Sequence, residues 1–196
     1  MNNKLMGAFA LAAALALPQL SQAAILAGTT GSNTVTDYSG AGLASFDLDL
    51  ATFTPTTFSF VLEAGDLAAP LAFNALVRNL AGTALDEFSF SLNGIAFFTA
   101  GSVTPAFGTV GSTTYGAHMA NVVFSAPEWA EFQFGNALGA PGASDWLLDT
   151  RGLRAGDTFT ITAATAAVAE VPEPSSALLT MTALLGMAAA YKRKRG

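Results

Sequence analysis

The sequence predicts an all-β protein, an antiparallel β-sandwich set between two terminal segments that are not part of its fold. Three observations carry that expectation. Apolar and polar side chains alternate in several short runs, glycine-bearing turn signals separate those runs, and apolar stretches next to basic residues occupy both ends.

The alternating runs come first, because a period of two puts one face of a strand in a core and the other in water. Phe46, Leu48 and Leu50 alternate with Asp47, Asp49 and Ala51. Phe58, Phe60 and Leu62 alternate with Ser59 and Glu63, with Val61 on the outward face. Phe88, Phe90 and Leu92 alternate with Ser89 and Ser91, and Phe159 and Ile161 with Thr158, Thr160 and Thr162. Further strands are expected over 71–80, 103–110, 121–124 and 129–134. Asn93-Gly94 predicts a two-residue hairpin joining 88–92 to 95–99, since both residues tolerate positive φ. Ala155-Gly156-Asp157 reads as a turn into the last strand. The best short-helix candidate is 144–148. Eight or nine short strands of this kind fit a jelly-roll or immunoglobulin-like sandwich over residues 24–168. No repeat of 20–50 residues points to a propeller or solenoid.

The ends read as addresses. Lys4 precedes an apolar run over 5–17, then Pro18 and Ser21-Gln22-Ala23, which places small residues at the positions a signal peptidase reads. Residues 1–23 are therefore expected to be a secretory signal peptide handled by the Sec translocon, with cleavage between Ala23 and Ala24. At the other end, residues 169–196 hold Val171, Pro172, Glu173 and Pro174, then an apolar stretch, then Lys192, Arg193, Lys194 and Arg195. The prolines hold the motif extended. A transmembrane helix is expected over 176–191, its alanine and leucine content favouring helix. The basic tetrad over 192–195 would stop transfer and keep the C-terminus on the cytoplasmic side of the inner membrane.

This three-part end resembles the PEP-CTERM sorting signal of Gram-negative bacteria. The resemblance covers about the last 26 residues. It implies an exosortase as partner, an integral-membrane cysteine peptidase or transpeptidase relative acting near Pro172-Glu173-Pro174. It also implies an exported protein anchored in the inner membrane before processing, then found at the envelope surface or outside the cell. Such proteins tend to accompany extracellular polysaccharide and biofilm genes.

Charge and composition narrow the chemistry. Only 11% of the 196 residues are charged, and between residues 24 and 170 three arginines stand against thirteen carboxylates. A body this acidic repels phosphate backbones, so nucleic acid is not an expected partner. With no cysteine there is neither a disulfide framework nor a thiolate metal site. The one histidine, His118, is the sole imidazole base for a secreted serine hydrolase, but no Gly-x-Ser-x-Gly elbow accompanies it. A strand-edge or loop histidine is the plainer reading. Glu128 and Glu131 flank Trp129 and form the carboxylate pair nearest to glycosidase chemistry. Asp47, Asp49, Asp86 and Glu87 could contribute to a structural calcium, though no Asp-x-Asp-x-Asp-Gly loop is present. Tyr38, Tyr115, Trp129 and Trp146 are the amphipathic aromatics of this body; Trp129 and Trp146 are the candidate contacts to a polysaccharide, the plainer reading being that both are partly buried core residues. The sequence thus favours a non-enzymatic envelope or matrix protein with no catalytic residues and no cofactor. A carbohydrate-binding module is the alternative.

Overall fold

The computed structural model describes residues 24–165. The signal-peptide residues up to Ala23, the sorting motif Val171–Pro174, the apolar run 176–191 and the tetrad 192–195 lie outside them. Among the described residues no helix is long and apolar enough to cross a membrane.

Thirteen strands form two sheets: β1 (Ile25–Thr30), β2 (Thr34–Asp37), β3 (Leu43–Leu50), β4 (Thr56–Val61), β5 (Leu71–Asn79), β6 (Leu85–Asn93), β7 (Ala96–Thr99), β8 (Val103–Pro105), β9 (Thr109–Tyr115), β10 (Met119–Glu128), β11 (Glu131–Phe134), β12 (Trp146–Asp149) and β13 (Thr158–Thr165). A 3₁₀ turn, Ala64–Leu67, precedes β5. The first sheet has the order β1-β4-β13-β6-β10-β9. The second runs β2-β3-β5-β11-β8, and β12 bridges β5 to β7. Eight of the twelve successive connections cross from one sheet to the other. The alternation seen in the sequence becomes this two-layer arrangement, because each phenylalanine run turns one face toward the opposite sheet.

That shared core is built mostly from rings. Phe46 of β3 stacks on Phe58 of β4 across the layers, with centroids 4.0 Å apart. Phe90 of β6 meets Phe134 of β11 edge-on at 4.7 Å, and Phe88 meets Phe132 at 5.1 Å. Phe134 in turn stacks on the buried Trp146 at 4.3 Å. Each fully buried ring of this size contributes about 1.5–3 kcal/mol. A cysteine-free domain can rest on such a core without cross-links. Ala24 belongs to the core and β1 begins at the next residue, so cleavage after Ala23 leaves every strand whole.

Four local expectations are corrected. The sandwich is not wholly antiparallel, since β3 and β5 pair in parallel from Leu43↔Ala72 to Leu50↔Asn79. The chain leaves β3 for β4 in the other sheet and returns as β5, a crossover long enough for parallel pairing. Asn93-Gly94 does not make a hairpin. Both edges of β6 are already taken, by β10 and β13, so the chain after Gly94 must enter the other sheet, where β7 pairs with β12. Gly94 keeps its positive φ of 82°, and a Cβ there would lie 2.8 Å from the Thr158 carbonyl oxygen. The expected strand over 103–110 is two strands, β8 and β9, in different sheets. The expected helix over 144–148 is instead strand β12, whose Trp146 and Leu148 enter the core. The turn at Ala155-Gly156-Asp157 does lead into β13, with Gly156 at φ 91°.

Candidate functional site

The outer face of the second sheet carries the most developed side-chain arrangement. Asp47 and Asp49 point outward from β3 because Phe46, Leu48 and Leu50 point inward, and Arg78 points outward from the parallel neighbour β5. The parallel register puts Asp49 opposite Arg78, so the guanidinium bonds to both aspartates: Nη1 donates to Asp49 Oδ1 at 2.9 Å, and Nη2 donates to Asp47 Oδ2. Glu131 of β11 adds a longer contact to Nε at 3.8 Å. The carboxylates of Asp49 and Asp47 hold Arg78 above its ordinary pKa.

Next to this cluster, the loop from Gly135 to Asp145 folds back over the sheet and walls a groove of about 590 Å³. A polar chain fixes that wall. Ser45 Oγ donates to Asn74 Oδ1 at 2.6 Å, and Asn74 Nδ2 donates to Asp145 Oδ1 at 3.0 Å. The backbone N–H of Asn136 donates to the same oxygen at 2.8 Å, and Gln133 Oε1 accepts from the Leu138 N–H. Gly135 permits the close approach, since a Cβ at its φ of 80° would lie 2.7 Å from Asn74 Cβ. Leu76 is buried although it is not part of the inter-sheet core, and with the exposed Tyr38 it gives the groove an apolar part of its lining.

A second feature lies at the corner between β10 and β11. Glu128 is completely buried, and its carboxylate accepts four backbone N–H groups. Oε2 takes Phe107 at 2.9 Å and Gly108 at 2.8 Å, while Oε1 takes Ala130 at 2.8 Å and Glu131 at 3.2 Å. Burial alone would push this carboxyl up, but the four N–H groups outweigh it and hold it below its ordinary range. The side chain is thus a clamp joining the β8–β9 loop to the corner. On either side of it, Phe107 and Trp129 stand in solvent, Trp129 with 59% of its surface exposed.

The structure separates most of the residues singled out in the sequence. Trp146 is 0% exposed, and its indole N–H donates to the Ser102 carbonyl at 3.2 Å, so it has no ring face for a sugar. Tyr115, at the end of β9, packs edge-on against Trp146, whereas Tyr38 follows β2 and Trp129 sits at the β10–β11 corner. These four aromatics therefore do not form one platform. His118 is exposed in the β9–β10 turn and its Nδ1 bonds to the Ile95 carbonyl oxygen at 3.1 Å. Neither a serine nor a carboxylate is among its hydrogen-bond partners. Glu128 is saturated by backbone and Glu131 leans on Arg78, so the pair does not face a common opening. Asp47 and Asp49 belong to one sheet and Asp86 and Glu87 to the other, and no group of three metal-ligating side chains assembles among the described residues.

Arg78, Asn74, Asn136 and Asp145 are the groove residues that sequence reasoning missed. Arg78 left a signal, being the only charge in the apolar stretch 71–80. The others depend on where the loop folds. Comparison with family models, with curated proteins and with solved structures finds no match.

Proposed function

We propose that this chain is a non-enzymatic, exported envelope or extracellular-matrix protein, sorted by an exosortase and associated with exopolysaccharide or biofilm. The observation that carries this is the order Val171-Pro172-Glu173-Pro174, apolar run, Lys192-Arg193-Lys194-Arg195, in a chain that also has Ser21-Gln22-Ala23 after an apolar stretch. Prolines at 172 and 174, each fixing φ, suit the substrate cleft of a peptidase, and the basic tetrad suits retention on the cytoplasmic side. β13, the last strand among the described residues, ends at Thr165, and Val171 lies six positions further along the sequence. Cutting at Pro172–Pro174 would then spare the β domain. The frequent crossing between sheets favours a jelly-roll relative over an immunoglobulin-like one for that domain.

A carbohydrate-binding module with a specific polysaccharide ligand is the second reading, favoured by the exposure of Trp129 and Tyr38. The sorting proposal is tested by the intact mass of the protein from cells with and without the processing enzyme. A mass that ends near Pro172–Pro174 only when the enzyme is present supports it. Equal masses in both strains overturn it.

A further inference from the structure

We infer that the groove on the outer face of the second sheet, between Tyr38, Leu76, Arg78 and Asn136, binds a segment of a neutral polysaccharide. This deepens the polysaccharide part of the proposed function and does not depend on the sorting part.

An outward sheet face normally meets water. Here the Gly135–Asp145 loop covers part of it, and Ser45, Asn74 and Asp145 hold that loop in one position. Ser45 and Asn74 are 8% and 5% exposed, so this bonded chain is a built wall rather than a solvated fringe. A groove fixed before its ligand arrives loses less entropy on binding.

The lining selects the ligand. Tyr38 and Leu76 offer apolar contact, which suits the C–H face of a pyranose ring. Arg78 is a donor, while Asp47 and Asp145 keep acceptor lone pairs beyond the bonds they already make. A ligand that satisfies both kinds of group must donate and accept at closely spaced positions, as vicinal hydroxyls do. Among the described residues, Asn136 Oδ1 is the one buried side-chain polar atom without a hydrogen-bond partner. Such an atom calls for a donor from outside the chain. Charge excludes the other polyol classes. Asp47, Asp49, Glu131 and Asp145 outnumber the single guanidinium, so uronates and phosphorylated sugars meet repulsion. A metal ion would meet Arg78 at the centre of the cluster.

The test is affinity electrophoresis of the purified full-length protein in detergent-containing gels cast with hydroxyethyl cellulose, galactomannan, dextran or alginate. Retardation by at least one of the three neutral polymers and none by alginate is expected. Tyr38→Ala, at an exposed position, should weaken the retardation about tenfold, as loss of a contacting ring implies. Asn136→Ala, which keeps the backbone bond to Asp145, should weaken it severalfold. Tyr115→Ala on the other sheet should leave it unchanged. Circular dichroism checks that each variant is folded. Absence of retardation by all three neutral polymers overturns the inference. So does retardation that survives Tyr38→Ala, or that is lost in Trp129→Ala instead, because the ligand would then sit elsewhere. Stronger retardation by alginate than by the neutral polymers overturns the charge argument and the inference with it.

Discussion

Glu128→Gln removes one charge and moves no atom of the side-chain outline, yet the clamp geometry makes it expensive. In the native corner, the carboxylate accepts two N–H bonds at each oxygen, and hydrogen bonds to a charged group contribute about 1.5–3 kcal/mol each. The glutamine oxygen can keep one pair, now as neutral bonds. Its NH₂ group must face the other two N–H groups, leaving donors opposed to donors in a buried site. Leaving two buried donors unmatched costs about 1–3 kcal/mol apiece, so a loss of about 3–5 kcal/mol is expected. That is a large part of the 5–15 kcal/mol that holds an ordinary domain together. Urea unfolding of wild type and variant at neutral pH, followed by tryptophan fluorescence, measures it. The sign of the pH effect is a second reading. Because the folded carboxyl lies below its ordinary value of 4.5, the unfolded chain binds more protons near that pH. The clamp's contribution is therefore fully present above pH 4.5 and is lost as pH falls through the lower folded value. Glu128→Gln should flatten this part of the acid limb. A stability change within about 1 kcal/mol at neutral pH, with an unaltered acid limb, would refute the clamp.

Two further outcomes follow from the same structure. Gly94 and Gly152 have nearly equal positive φ, 82° and 83°, but only Gly94 has backbone within 3 Å of its would-be Cβ. Gly94→Ala should therefore cost about 2–3 kcal/mol and Gly152→Ala about 1 kcal/mol, measured by the same unfolding assay; equal costs would contradict the crossover at Gly94. Neutralising Lys192, Arg193, Lys194 and Arg195 should let the C-terminus cross the membrane. With no native cysteine, Gly196→Cys provides a single thiol, and a membrane-impermeant maleimide should label it in intact cells only when the tetrad is neutral.

How far the sequence reaches depends on what a strand's neighbours do. The phenylalanine runs at 46–50, 58–62, 88–92 and 159–161 announce their strands, because alternation is a property of one strand against a core. Pairing is not. Asn93-Gly94 has the chemistry of a hairpin, but β10 and β13 occupy both edges of β6, and those competitors lie far away in the chain. The parallel pairing of β3 with β5 leaves the same alternation as an antiparallel one. β1 and β2, with mostly exposed side chains, lack a strong apolar face and gave no signal. The stretch 144–148 was the best short-helix candidate, yet Trp146 and Leu148 stand two residues apart, a strand spacing, and burial against Phe134 and pairing with β5 make them strand positions. The groove was legible only in fragments. Asp47 and Asp49 were visible as an outward acidic pair, but Arg78 reaches them through the parallel register, and Asn136 and Asp145 reach the sheet through a loop. Glu128 stood in the sequence only as one of the two carboxylates flanking Trp129, and nothing short of the fold reveals four N–H groups around it.

The sorting proposal meets its most direct test at one residue. Glu173→Ala alters the Pro-Glu-Pro motif while the apolar run and the basic tetrad stay intact, so insertion should be unaffected. Mass spectrometry of C-terminal fragments from wild type and Glu173→Ala compares the two. The account predicts a fragment ending near Pro172–Pro174 in wild type and an uncut chain accumulating in the membrane for the variant. Identical fragments from both would contradict it, because a linker read by no enzyme is indifferent to that glutamate.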